Sequence, residues 1–488
     1  MYKHGNYAQF NMQTAQKGSA STSRYVPVYV GALPVHTVAG GGAKVNEPIL
    51  LEDFTHAVRT VGYTDDWDNY DLCEAIYAHF ALTQAGPIAV INVFDPTKNK
   101  KGKTTTANVI SNQVILGSMG NAILDSFTIE GKEKGVDYTL SYDYTSERIT
   151  VRGAYKGALS ESISVSYDEV TPGITQEDVI GKTDGEGTDS GVYLIRRIYQ
   201  DTGKIPSRLL CPGFSHIPAV HEAMEAVCSQ IGGHFDIFML TDLPIENDGS
   251  AMKPSEVTTW KSENFYTKDN EKTFWPRWNG NDGRMYHLSV LCAANFQALE
   301  NEADGVPYQT ASNTKIPISG KPYYGEGATL ALDEQMVNET LLQYGVTSCT
   351  YHGGSWVLWG SHCASYEPGS VTSMNLYDST LMMMYYLAND FQVRRAEEID
   401  KIASVNRIRQ IVAEEQATLD ALCAIGALLY GKTFFVLNEE TRSDMLTGDF
   451  ALRWEITQSL SIKSITGTVQ HTDAGLATYY EELMELTE

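Results

Sequence analysis

A chain of 488 residues with 42% hydrophobic and 20% charged side chains has ordinary globular composition, which excludes bulk disorder and exceeds what one hydrophobic core usually serves. Two to four domains are expected. The formal net charge of -25 excludes a protein that wraps nucleic acid or an anionic membrane, since both demand a cationic face.

No run of 18 apolar residues occurs, and residues 1–10 lack the basic and apolar segments of a secretory signal. A soluble protein, not exported by the general route and not inserted in a membrane, is expected. Seven cysteines (Cys73, Cys211, Cys228, Cys292, Cys349, Cys363 and Cys423) lie in apolar segments with no paired spacing, the pattern of reduced, buried thiols.

Residues 1–24 are rich in Gln, Ser, Thr, Asn and Gly with isolated Tyr2, Tyr7 and Phe10, the composition of an arm with nothing of its own to bury. From Tyr25 the run Tyr-Val-Pro-Val-Tyr-Val-Gly reads as a strand, followed by the link Gly40-Gly41-Gly42. Leu72, Ile76 and Phe80 recur at helical spacing before Gly86-Pro87, and residues 88–94 read as a buried strand, giving an α/β element. Residues 98–103 form a basic, polar link. Beyond it Val136, Tyr138, Leu140, Tyr142 and Tyr144 alternate, and 145–148 turn the chain towards Ile149 and Val151 as a hairpin. With Phe127, Ile129, Ile163, Val165 and Tyr167 these residues define an inserted all-β domain over 104–171.

The acidic stretch 184–189 lacks the ordered ligand spacing of a calcium loop and is expected to be a linker. Then come a helix over 192–199, a strand over 208–211, a helix whose Ile217, Val220, Met224, Val227, Cys228 and Ile231 share one face, and a strand over 235–240. Residues 273–281, with Trp275 and Trp278, read as a loop, and 285–298 as a helix. Residues 356–360 read as a short strand, and 379–391 as a helix behind Asp378 as N-cap. Ser404 is placed to cap a longer helix carrying Val405, Ile408, Val412, Leu419, Leu422 and Leu429. Phe450, Leu452, Trp454 and Ile456 alternate as a strand, and 465–469 read as a second β-like stretch.

Catalytic chemistry has one foothold, Pro212-Gly213-Phe214-Ser215-His216 between a strand and a helix, where a nucleophile elbow would expose a serine. The elbow needs small flanks, yet Ile217 belongs to the core face, so Ser215 is better read as an N-cap ahead of Pro218. Cys349, His352, His362 and Cys363 are all zinc-ligand types, but their spacing fits no common knuckle. Phosphate-loop, dinucleotide and His-Glu-x-x-His signatures are missing. No catalytic residue, cofactor or metal is assigned. The basic residues Arg394, Arg395, Lys401, Arg407 and Arg409 suit either a docking patch or a solvated helix face balanced by Glu397, Glu398 and Asp400.

Several segments together resemble the contractile phage-type tail sheath family, over most of the chain. They are Val-Tyr-Val-Gly-Ala-Leu-Pro, Glu-Pro-Ile-Leu-Leu and Ile-Ala-Val-Ile-Asn-Val near the start, and Gly-Lys-Ile-Pro-Ser-Arg-Leu-Leu-Cys-Pro-Gly with Asp242-Leu-Pro in the middle. More specific are Gly305-Val-Pro-Tyr, Ser312-Asn313, residues 341–347 and Trp356-Val-Leu-Trp-Gly-Ser-His, then Phe391-Gln-Val-Arg-Arg and Gly431-Lys-Thr-Phe-Phe-Val. The departures are His362-Cys363, where relatives often carry Arg-Thr, and a long acidic C-terminus.

The resemblance implies a mixed α/β, multidomain fold: an N-terminal arm (1–24), an α/β sheath region (25–103 and 172–340), the inserted β domain (104–171), a C-terminal α+β core domain (341–463) and a C-terminal arm (464–488). It implies a non-enzymatic subunit that polymerises helically around an inner tail tube protein, meets baseplate and tail terminator proteins, and contracts. No cofactor or nucleic acid is needed. The location implied is a virion tail or phage-tail-like particle, assembled in the bacterial cytoplasm. Arms that add strands to a neighbour's sheet would join the rings, with Tyr7, Phe10, Ile465 and Val469 as candidate contacts. The basic residues from Arg394 to Arg409 would face the tube. The alternative is a soluble hydrolase or carbohydrate-binding protein with a β module.

Overall fold

The computed structural model describes residues 23–280, 282–316, 318, 320–323, 332–372, 376–436 and 448–486. Tyr7 and Phe10 lie outside the described residues. In chain order the strands are β1 (Tyr25–Gly31), β2 (Pro48–Leu51), β3 (Ile88–Asn92), β4 (Lys100–Asn108), β5 (Gln113–Leu116), β6 (Thr128–Ile129), β7 (Tyr138–Asp143), β8 (Arg148–Gly153) and β9 (Ser162–Val170). There follow β10 (Ile205–Leu210), β11 (Phe238–Asp242), β12 (Glu246–Asn247), β13 (Ser250–Ala251), β14 (Glu271–Phe274), β15 (Arg277–Gly280), β16 (Met285–Tyr286), β17 (Gly320–Tyr323), β18 (Val346–His352), β19 (Ser355–Trp359), β20 (Leu428–Phe435) and β21 (Leu452–Gln458).

Among the described residues one eight-stranded sheet runs β19-β18-β14-β11-β10-β1-β3-β2. Its inner strands, from β18 to β3, are parallel, and antiparallel β2 and β19 close the two edges. Such a sheet must be covered on both faces. In β1, Val28 and Val30 point into a core shared with helix Pro218–Val227, while Tyr29 points into the opposite core against helix Leu288–Glu302. That second helix is buried almost all round, so its apolar residues show no single stripe.

The inserted residues make two three-stranded sheets, β4-β9-β6 and β5-β8-β7, around Val114, Phe127, Tyr138, Ile149, Val151 and Val165. The first strand begins at Lys100, inside what reads in sequence as a basic link, because its lysines pair outward with Asp168 and Glu169 of β9.

Residues 273–280 are not a loop, and residue 281 lies outside the described residues. Glu271–Phe274 is a buried strand of the central sheet, and Trp275 and Trp278 are fully buried beside it. The charged residues that disguise it are paired: Lys272 Nζ lies 2.9 Å from Asp378 Oδ2 and donates to Gly360 O at 2.8 Å, and Glu271 Oε1 accepts from Thr241 Oγ1 at 2.6 Å. Asp378 is therefore not the N-cap of its helix but the first residue inside it, and Tyr377 occupies the cap. Residues 465–469 form no strand; 459–472 carry no regular structure, and helix Ala474–Glu485 follows. Among the described residues no strand edge pairs with them, so nothing closes a ladder.

Candidate functional site

The C-terminal module is built from helix Asp378–Arg394, helix Val405–Ala424 and the antiparallel pair β20-β21. Ser404 Oγ accepts from Arg407 N at 3.2 Å and starts the second helix. Met383, Leu387, Leu419, Leu422 and Leu428 form its small core.

Arg394 and Arg395 converge on Glu415, which is almost fully buried, with Nη1 of Arg394 at 2.6 Å and Nε of Arg395 at 2.8 Å from Oε1. Arg394 also reaches Asp390, and Arg395 reaches Glu414. Burial works against the charge of Arg394, but the Glu415 and Asp390 carboxylates outweigh it and hold its pKa above the ordinary value. Arg407 pairs with Glu398. Arg394 and Arg395 thus join the end of the first helix to the second, and Arg407 ties the second helix to the turn between them. Lys401 and Arg409 are exposed, near exposed Ile402 and Val405.

β20 and β21 pair with no other strand among the described residues. The outer side of β20 is engaged by Gln416 of the second helix, which donates to Gly431 O at 3.0 Å and accepts from Thr433 N at 2.9 Å, so the edge left without a partner is that of β21. A two-stranded sheet is marginal by itself in water, and open edges accept further strands. After β21 the chain leaves the module with Leu460, Ile462, Ile465 and Val469 exposed, Ile465 at 84% and Val469 at 100%. The following helix Ala474–Glu485 buries nothing.

Chemistry elsewhere is engaged structurally. Ser215 is not an N-cap, since Ile217 takes that position and the chain first turns at 212–216. Its Oγ instead accepts from Asp242 N at 3.0 Å. His221 is bonded to Glu271 at 2.9 Å and stacked on Tyr266, so no base meets the serine. Cys349 is buried in β18, where burial pushes its thiol up, and His352 faces Glu334 at 3.2 Å. Among the described residues no three His, Cys, Asp or Glu side chains gather as a metal site, and no helix is long and apolar enough to cross a membrane. A cavity of about 680 Å³ opens at the carboxyl ends of β10, β11 and β14, lined by His216, Asp242, Arg277, Arg284 and His287. His287 Nδ1 lies 2.7 Å from Glu74 there.

The unpartnered β21 edge was not legible as a site in sequence, because an open edge is defined by what fails to pair in space.

No family model matches the chain. A tail sheath protein of Burkholderia phage BcepMu is 20% identical over 412 residues, 81% of this chain and 83% of the relative. Among solved structures, a chain of the anti-feeding prophage helical sheath in its contracted state is 12% identical with a TM-score of 0.54, covering 97% of this chain and 100% of that one. A chain of the PVC extracellular contractile injection system sheath, also contracted, is 9% identical with a TM-score of 0.56, covering 98% and 100%. The likeness runs end to end through the fold.

Proposed function

We propose, starting from the chain's place among the tail sheath proteins, that it is the repeating subunit of a contractile sheath, polymerising helically around an inner tube and shortening to drive that tube forward. The observation that carries this is the fold likeness to two contracted sheaths over nearly the whole chain, joined to a C-terminal module whose two-stranded sheet has no partner strand on the β21 edge among the described residues. Arms of neighbouring copies complete that sheet through backbone hydrogen bonds, which tolerate variable side chains. Such head-to-tail contacts do not close and so build a helix. Ordering an arm of twenty residues costs roughly 20–40 kcal/mol in backbone entropy, so the arm is ordered only by its neighbours.

Lys401 and Arg409, with Ile402 and Val405, form the surface we assign to the tube, since Arg394, Arg395 and Arg407 are committed within the subunit. Baseplate and terminator proteins cap the polymer. Assembly takes place in the bacterial cytoplasm and the product is a virion tail or phage-tail-like particle. Contraction moves subunits as rigid bodies, without chemistry. The hydrolase alternative has no observation in its favour, given the separate engagement of Ser215 and His221.

Negative-stain microscopy of the purified protein tests the proposal. Hollow tubes of uniform width are expected. Monodisperse monomers with hydrolytic activity would overturn it.

A further inference from the structure

The tail that leaves β21 is not free from its first residue. Tyr377 Oη donates to Ser461 O at 2.9 Å, and Lys463 Nζ donates to His362 Nε2 at 2.9 Å and Ser361 Oγ at 3.2 Å. The same ammonium lies 5.9 Å from the centre of the Tyr377 ring, in cation–π range. Lys463 is itself exposed as a residue, with its ammonium engaged in these contacts, and the residues beyond it to Gln470 are exposed as well.

His362 is built to receive this lysine. It is buried, stacked on Tyr366 with ring centres 3.6 Å apart, and its Nδ1 lies 3.0 Å from the carbonyl of Leu376. A carbonyl only accepts, so Nδ1 carries the proton and Nε2 offers a lone pair to the ammonium. Burial first, then the charges of Lys463 and Lys272, lowers His362 to about 3, which keeps that lone pair available at neutral pH. The backbone behind it is fixed as well, because buried Lys272 Nζ donates to His362 O at 3.2 Å and to Gly360 O.

We propose that Lys463 is a register anchor: its seat on His362 and Ser361 fixes where the C-terminal arm leaves the subunit, and so which residue first pairs with the neighbouring copy's open sheet. This rests on the strand-donation reading above and names the residue that makes it specific. An anchor is needed because the arm's own pattern is weak. In Ser464-Ile-Thr-Gly-Thr-Val-Gln470 one face carries only Ile465, Gly467 and Val469, and the other only Ser, Thr and Gln. Strands specified so thinly slip, and a slip of one residue turns every side chain to the wrong face. From a fixed Lys463, residues 464–472 reach roughly 30 Å when extended at about 3.3 Å per residue.

The test has an arm in the free subunit and an arm in the polymer, both on the full chain. Trypsin must draw the Lys463 side chain out of its seat to cleave after it. His362→Gln and the milder Tyr377→Phe, each checked for an unchanged thermal transition, are expected to speed cleavage at Lys463 at least tenfold and threefold respectively, while cleavage at exposed Lys401 stays constant. Lys463→Met is expected to give sheaths of mixed helical parameters by cryo-electron microscopy, where the native chain gives one set. Cleavage rates within twofold of native for both folded variants would overturn the anchor, and a single native lattice from Lys463→Met would overturn its role in register. A native chain that forms no sheath at all would overturn the proposed function and the register role with it, while the protease result would still decide whether the anchor exists.

Discussion

His36 Nε2 lies 2.7 Å from the carbonyl oxygen of Gly120, a bond that stitches the turn after β1 to the inserted β unit. Beside it Gly40 N donates to Asp125 Oδ2 at 2.6 Å, and Tyr144 meets Phe54 and Tyr63 edge-on. The insert has its own core and also a docking face.

Deleting residues 100–171 and bridging Asn99 to Pro172 with a short Gly-Ser linker is expected to leave a folded remainder. Lys100 and Val170 are paired neighbours in β4 and β9, so the cut ends lie side by side. The loss of the Tyr144 contact exposes Phe54 and Tyr63, at a cost of about 1–3 kcal/mol. Calorimetry should show one cooperative transition at a lower temperature, and its disappearance would refute the insert's independence.

Glu415→Ala strands two partly buried guanidinium groups and is expected to destabilise the subunit by about 3–5 kcal/mol. Glu398→Ala, at a more open pair with Arg407, should cost about 1 kcal/mol or less. Urea unfolding of the two variants ranks them, and equal losses would show that Glu415 is not the centre of the cluster.

Acid should loosen the subunit through its buried histidines. Burial lowers His36 and His79 from the ordinary 6.5 to about 4. Between those values the unfolded chain binds the proton and the folded chain does not, so their contribution is complete above pH 6.5 and is lost as pH falls towards 4. Asp71 acts in the opposite sense, because burial raises it to about 8 and the folded chain keeps a proton there that the unfolded chain has released. The histidine part is isolated in His36→Asn, whose plot of unfolding free energy against pH should be shallower by about 1 kcal/mol per pH unit between 6 and 4.5. Parallel plots for native and variant would contradict it.

Lys401→Glu with Arg409→Glu should leave sheath formation intact and weaken co-sedimentation with tube subunits, more so at low salt. Unchanged binding at every ionic strength would remove these residues from the tube contact.

Truncation after Lys463 should leave thermal stability within about 0.5 kcal/mol, since the removed helix Ala474–Glu485 buries nothing. Polymers should not form. Long regular tubes from the truncated chain would refute strand donation by this arm.

Apolar runs made β1 and β3 legible in sequence, because both faces of each are buried, and alternation or helical spacing did so for β7, β8 and helix Val405–Ala424, although Leu429, read with that helix, lies in β20. β14 was hidden by Glu271 and Lys272, whose charges signal solvent unless their distant partners are known. The basic residues 394–409 were visible as a cluster, but their division into internal clamp and open surface depends on Glu415 and Glu398, which only folding brings to them. Lys463 was one polar residue among many, and its importance comes from a histidine about a hundred positions earlier.

Lys272 and Asp378 bond with neither side chain reaching solvent, and Thr310 Oγ1 adds a second contact to the same carboxylate at 3.1 Å. Through them a central strand grips the first turn of the C-terminal module's leading helix. In the sheath proposed above, a load on the C-terminal arm, taken up at Tyr377 and His362, would therefore pass through the start of that helix into the central sheet.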